Sequence, residues 1–320
     1  MATEYRDEPC RTALNRVRNM PFAWSLNPYM GCAHRCTFCY VRAFERIADR
    51  PSDARYGTSI RVKTNVVDVL RREVGRSSWK RSTVAVGTAT DPYQPAEGRF
   101  RLTRGSIVVL GESRTPIALI TRGPMIVRDV DVLAGAARRA EVSVTFSIPT
   151  LDREIWRRTE PGTAPPRQRL RALRTLVDAG IKASVGLAPI LPGLSDRPAL
   201  MAEVMRAARD AGATSVWANV LYLRPGTREH FLENLARDWP ELLAQYEAIY
   251  AGRAYVSRAI AEPIKRQVAD LRARYEIADR RRVRIEPSAR PDPGAIQDSH
   301  QPLQLSLAEA IQVPGAWVGG

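Results

Sequence analysis

Cysteine, histidine and lysine are all scarce in this chain of 320 residues, which has four Cys and three His. Lysine occurs only as Lys63, Lys80, Lys182 and Lys265, so 45 of the 49 basic residues are arginine. So few cysteines exclude a disulfide-stapled scaffold. No second short Cys or His pair follows the first cluster, which excludes the usual zinc-finger or ribbon layout. No apolar run approaches the ~20 residues of a membrane span. The first twenty residues mix charges with no apolar h-region, so no secretory signal is expected. A reducing, cytoplasmic location and no membrane partner follow as expectations. Acidic residues are also few: 34 Asp and Glu leave a net charge of +15. Clustered arginine invites a nucleic-acid partner, although biased codon composition produces the same skew, so charge alone leaves a polyanionic partner open.

What is present is a soluble-globular composition, 44% hydrophobic and 26% charged, on a chain long enough for one large core or two domains. Three of the four cysteines fall in one run, Gly31-Cys-Ala-His-Arg-Cys-Thr-Phe-Cys-Tyr40. The C-x3-C-x2-C spacing of Cys32, Cys36 and Cys39 suits a [4Fe–4S] cluster, which ordinarily takes one thiolate per iron. Three thiolates leave one iron open, the property that separates a catalytic metal site from a closed structural one. The competing reading is a tetrahedral zinc with His34 or Cys10 as fourth ligand, in a non-catalytic metal-binding module. If His34 is not a ligand, its place inside the loop predicts a solvent-facing side chain. His230 and His300 are isolated in the sequence.

Periodicity predicts alternating strands and helices. Strands are expected over Phe22 to Leu26, Ser59 to Lys63, Thr83 to Val86, Ile117 to Ile120, Val142 to Ser147, Ala183 to Leu187 and Val216 to Leu223. Helices are expected over Val41 to Ala48, Val66 to Val74, Arg104 to Leu110 and Val127 to Arg139. Two more follow, through Leu170, Leu173 and Val177 up to Gly180, and through Leu200, Val204 and Ala208 up to Gly212. Near-continuous apolar strands joined by helices imply a parallel sheet covered by helices, α/β in class. A partial or complete β/α barrel has its chemistry at the C-terminal strand ends; a doubly wound open sheet is the alternative. The expected division is an irregular lead-in over 1–21, a core barrel over 22–235, a helical C-terminal extension over 236–287 and a flexible tail over 288–320. Pro263 is expected to start a helix with an Ile264, Val268, Leu271 and Tyr275 stripe, and the Pro/Gly/Gln/Ser-rich composition from Ser288 predicts the tail.

The cysteine loop, with Tyr40 after the third thiol, resembles the radical S-adenosylmethionine superfamily, and more narrowly the spore photoproduct lyase-like, or DNA repair photolyase-like, group. The supporting stretches are Gly87-Thr-Ala-Thr-Asp91-Pro-Tyr-Gln-Pro-Ala-Glu97, Phe146-Ser-Ile148, Glu160-Pro-Gly-Thr163 with Arg169, and Val185-Gly-Leu-Ala-Pro189, in order over residues 22–235. The resemblance implies a partial (β/α)6 TIM-like barrel of radical SAM type. It implies a [4Fe–4S] cluster and S-adenosyl-L-methionine as cofactors, reductive cleavage to a 5′-deoxyadenosyl radical that abstracts hydrogen, and a low-potential electron donor such as flavodoxin or ferredoxin. By position, Cys32, Cys36 and Cys39 match the metal ligands. Tyr40 matches the aromatic residue beside the adenine, and Gly87, Thr88, Thr90 and Asp91 match the segment facing the methionine ammonium. Arg122 matches a basic residue for the carboxylate, and Ser147 a ribose contact. Plainer readings stand beside these: Thr88, Thr90 and Asp91 could cap the turn before Pro92, Arg122 could be solvated, Ser147 and Glu160 could satisfy backbone donors, and Tyr40 could be packing. The group carries a hydrogen-donating cysteine where this chain has Thr88 and a tyrosine where it has Phe38. The lyase reaction therefore does not follow from the resemblance, and the substrate is left unassigned.

Overall fold

The computed structural model describes residues 3–279. Strands β1 (Glu4–Asp7), β2 (Leu14–Arg16), β3 (Trp24–Leu26) and β4 (Tyr29–Met30) precede the cysteine loop, which runs into helix α1 (Val41–Ile47). Then come β5 (Ser59–Val62), α2 (Val66–Val74), β6 (Val84–Val86), α3 (Pro95–Phe100), α4 (Leu102–Glu112) and β7 (Ile117–Thr121). A 3₁₀ turn at Pro124–Asp129 leads into α5 (Val130–Ala137), followed by β8 (Val142–Ser147), α6 (Arg153–Thr159), α7 (Pro166–Asp178), β9 (Lys182–Ile190), α8 (Pro198–Asp210) and β10 (Val216–Val220). Helices α9 (Thr227–Asp238), α10 (Leu243–Ile249) and α11 (Arg258–Arg274) complete the described chain.

The main sheet has the order β10-β9-β8-β7-β6-β3-β2. All pairings from β3 to β10 are parallel, and β2 is antiparallel to β3. Each parallel strand lies beside the next in the chain, with no reversal of order. A doubly wound sheet reverses at a switch point, so the winding is that of an open, six-stranded β/α barrel. The strands are apolar on both faces because helices cover one side and the barrel interior fills the other; Val84, Ala85 and Val86 are all buried. Helix boundaries follow local chemistry. The Asp152 carboxylate accepts from the amides of Glu154 and Ile155 at 2.9 Å to start α6. Pro166 and Pro198 open α7 and α8, and Gly180 and Gly212 follow their ends with φ of 76° and 81°.

The lead-in is not irregular: β1 pairs in parallel with β5 and β2 joins the main sheet. Its polar sequence hides this, because the anchoring is supplied from elsewhere. The Glu73 carboxylate accepts from Ala13 and Leu14 amides, and the Asn65 side chain exchanges two hydrogen bonds with the Cys10 backbone. Pro263 does not start a helix but lies inside α11, which begins at Arg258. An interior proline costs about 3 kcal/mol. Burial of Ile264, Val268 and Leu271, at roughly 1.5–3 kcal/mol each, outweighs it. That stripe packs α11 on α8 and β10 as part of the main core. The tail over 288–320 lies outside the described residues. We expect Ile264→Ala to cost about 2 kcal/mol or more, read as a lower urea midpoint at unchanged slope. A midpoint equal to the parent's would show that α11 is not part of the cooperative core.

Candidate active site

The parallel register lines up the strand ends: Leu26 lies opposite Val86, Thr121 opposite Phe146, and Ser147 opposite Gly186. The segments after β3, β6 and β7 therefore meet at one rim. At Gly87 φ is +91°, and a Cβ would stand 2.4 Å from the Ile120 carbonyl oxygen, so only glycine lets this turn pass.

The cysteine loop between β4 and α1 has little regular structure, and its buried backbone groups need partners. The segment after β6 supplies several of them. Gln94, fully buried, accepts from the Ala33 amide (2.9 Å) and donates to the Gly31 carbonyl (3.1 Å). The Thr90 hydroxyl donates to the same carbonyl at 2.7 Å. Asn27 donates to the Thr88 hydroxyl at 3.2 Å and accepts from the Ala89 amide at 2.8 Å, while the Tyr40 hydroxyl donates to the Thr88 carbonyl. Gly57 and Gly162 press on the loop from two directions: a Cβ on either would stand 2.2 Å and 2.3 Å from the carbonyls of Cys32 and Ala33 respectively.

Asp91 ties these parts together. One carboxylate oxygen accepts from the Thr121 hydroxyl (2.6 Å) and the Tyr93 amide (2.9 Å). The other accepts from the Arg122 amide (2.6 Å) and lies 3.2 Å from His34 Nδ1. The carboxylate thus accepts three hydrogen bonds out of roughly four acceptor sites. The side chain binds segments of the protein to one another. Burial works against the charge on Asp91, but His34 and the Thr121 and Arg122 donors outweigh it and hold the carboxylate below its ordinary range. Burial likewise opposes a charged His34, and Asp91 and Cys32 overcome it and raise the imidazole well above its usual value. His34 is thus buried beside Asp91, not solvent-facing.

Next to the loop lies a second buried charge group. Glu160 and Arg169 have fully buried side chains 3.1 Å apart. Arg169 also donates to the Ser147 carbonyl (2.8 Å), the Ala164 carbonyl (3.0 Å) and the Thr163 hydroxyl (2.6 Å). Arg122 Nε donates to Glu160 at 2.5 Å, and its guanidinium carbon lies 5.7 Å from the Phe38 ring centroid. Two guanidiniums share one carboxylate, so the group carries net positive charge next to Cys36. Burial pushes the Cys36 thiol up and Arg122 opposes that rise. Cys39 is raised by burial and by Cys32, with Arg42 opposing.

Fit to a metal group can be judged from these donors. All three thiols are free and interact electrostatically with one another. Three thiolates, one per iron, are what a [4Fe–4S] cluster would take from this loop, leaving the fourth iron open. Cys10 packs with the main core, its backbone held by Asn65, and His34 turns its Nδ1 to Asp91.

The family profile described as the radical SAM superfamily matches residues 26–203. The chain belongs to the radical SAM superfamily. Membership brings a [4Fe–4S] cluster and S-adenosylmethionine as cofactors, which fits the open three-thiol loop. An uncharacterized protein of Mycobacterium tuberculosis is 38% identical over 301 residues, covering 93% of this chain and 86% of that one. Another, of Methanocaldococcus jannaschii, is 24% identical over 76% of this chain and 87% of its own length. Among solved structures, a spore photoproduct lyase mutant with bound AdoMet and dinucleoside spore photoproduct superposes with a TM-score of 0.64 at 15% identity, over 85% of this chain and 79% of that one. At that identity the likeness establishes the radical SAM fold alone.

Of the residues expected at the site, Tyr40, Gly87, Thr88, Thr90, Asp91 and Arg122 surround the loop, and Ser147 joins through its carbonyl on Arg169. Sequence reading missed Asn27, Gln94, Gly57 and Gly162. Gln94 lies inside the stretch from Gly87 to Glu97 and Gly162 inside Glu160-Pro-Gly-Thr163, which were the available signals; Gly57 gives none without the fold. Breaking a buried pair by removing one partner costs about 3–5 kcal/mol. Glu160→Ala is therefore expected to lose that much in denaturant unfolding, and a loss under 1 kcal/mol would mean that Arg122 and Arg169 find other acceptors.

Proposed function

We propose that the protein is a radical SAM enzyme that holds its cluster through Cys32, Cys36 and Cys39 and abstracts hydrogen from a substrate at the C-terminal rim of the barrel. When bound, the cluster and S-adenosylmethionine supply a 5′-deoxyadenosyl radical by one-electron cleavage. The observation that carries the reading is the three-thiol loop pinned beside a net-positive guanidinium group. Arg122 uses Nε on Glu160 and one terminal nitrogen, at 3.4 Å, on the Ala188 carbonyl. Its remaining edge suits the methionine carboxylate, a planar acceptor for which arginine is well matched. In this reading Gly87, Thr88, Thr90 and Asp91 would border the methionine ammonium, Tyr40 would flank the adenine, and Ser147 would meet the ribose. The electron comes from a low-potential donor, and the thiols call for a reducing compartment such as the cytoplasm. Among the described residues no helix is long and apolar enough to cross a membrane.

A nucleic-acid lesion is the second reading for the substrate, supported by the net charge of +15 carried almost wholly by arginine. Thr88 and Phe38 stand in place of the cysteine and tyrosine of the lyase group, so completion of a lyase reaction needs a different hydrogen donor. Binding that does not weaken between 50 and 200 mM salt, a range over which several phosphate contacts cost orders of magnitude, would remove this reading.

Anaerobic reconstitution is expected to give about four irons per chain and, with dithionite and S-adenosylmethionine, 5′-deoxyadenosine. A fully loaded cluster that never cleaves the cofactor contradicts the enzyme reading. Arg122→Met is expected to weaken S-adenosylmethionine binding by at least about tenfold, the effect of losing a charge-assisted hydrogen bond, with iron content unchanged. Unaltered binding would assign the carboxylate to another residue.

A further inference from the structure

Arg42 is the second residue of α1, three positions after Cys39, and is only 1% exposed. Its guanidinium is enclosed by main-chain carbonyls. Nε donates to Cys36 (3.3 Å), one terminal nitrogen to Ser52 (2.8 Å) and Asp53 (2.6 Å), and the other to Arg35 (3.4 Å). The guanidinium carbon sits 4.6 Å from the Tyr56 ring centroid, and the Tyr56 hydroxyl lies 3.7 Å from Cys39 Sγ.

Among the described residues no carboxylate pairs with Arg42. Asp53 offers only its carbonyl, because its carboxylate binds Arg55 at 2.8 Å. The other deeply buried arginine, Arg169, does have an acid partner, Glu160. Arg61, partly buried, has Glu45. Carbonyl dipoles and a tyrosine face solvate a cation but do not neutralise it, and an uncompensated buried charge costs several kcal/mol. A fold that keeps such a charge at the thiol loop is suited to a guest of opposite sign. A cluster held by three thiolates is such a guest, and it gains one more negative charge on reduction.

We propose that Arg42 is the counter-charge of the cluster, and that it raises the cluster's reduction potential by stabilising the one-electron-reduced state. The inference rests on the cluster assignment made above. A full charge within a few ångströms of the loop acts through a partly screened interior, so its removal shifts the ratio of reduced to oxidised cluster by about tenfold or more at a fixed potential. For a one-electron couple tenfold is about 59 mV.

The test is a potentiometric titration of the reconstituted, S-adenosylmethionine-free protein followed by electron paramagnetic resonance of the reduced cluster. Parent, Arg42→Met and Arg42→Lys are compared, with iron content and circular dichroism as controls. The expected result is a midpoint lowered by about 59 mV or more in Arg42→Met and kept within a third of that shift in Arg42→Lys. Equal midpoints in parent and Arg42→Met overturn the proposal, as does an equal fall in both variants. If Arg42→Met does not load a cluster, Arg42→Lys decides: a loaded cluster at the parent midpoint supports the charge, and a displaced one opposes it. Failure of both to load means that the five-donor fork, not the charge, is what the loop needs, and that also overturns the proposal. A parent protein that takes up no cluster would count against the cluster assignment instead.

Discussion

The contact on which the site depends is the meeting of Asp91 with His34, Thr121 and the Arg122 amide. It joins the cysteine loop to the ends of β6 and β7 in a place where water cannot supply the missing hydrogen bonds. A loop with so little regular structure can be buried only if every donor and acceptor finds a partner. Here Gly162 and Thr159 pair the His34 carbonyl and the Thr37 amide, Arg42 pairs the carbonyls of Arg35 and Cys36, and Thr90 and Gln94 pair Gly31 and Ala33. The neighbouring Glu97 extends the same device outward, taking the amides of Thr103 and Arg104 and the Arg128 guanidinium. The loop therefore borrows its rigidity from the barrel.

The charge pattern around the thiols follows from the same burial. Arg42, Arg122, Arg169 and His34 bring cations to the loop, while Asp91 and Glu160 bring the acids that hold three of them. The acids are placed on the protein's own cations and not on the thiols, which leaves local positive potential where an anionic metal centre and a carboxylate ligand belong. This arrangement also explains why buried arginine is tolerated so near the core. Arg169 satisfies backbone and side-chain acceptors on three sides, and Arg42 makes four hydrogen bonds with carbonyls alone, so most of each five-donor fork is used.

Much of the sheet was legible because buried parallel strands are apolar throughout, as in Val84 to Val86 and Val142 to Ser147, and because Gly180 and Gly212 mark helix ends. Elements stabilised mainly by partners distant in sequence were not legible. β1 is polar and exists through its pairing with β5. α3, α6, α9 and α10 are short or mixed in character and are held by packing. In α11 the buried stripe overrode the proline that local rules would have placed at a helix start. The cysteine loop and the polar stretch from Gly87 to Glu97 were visible as motifs, but not the division of labour inside them.

The sequence by itself determined the three-thiol loop, its family and the α/β winding, since these depend on residue type and near-neighbour spacing. Only the tertiary structure decided that His34 is buried beside Asp91, that Asp91 is held by protein donors, and that no acid among the described residues pairs with Arg42. Each of those facts depends on which atoms from remote segments come within a few ångströms of one another after water has been expelled, and spacing along a chain does not encode that distance.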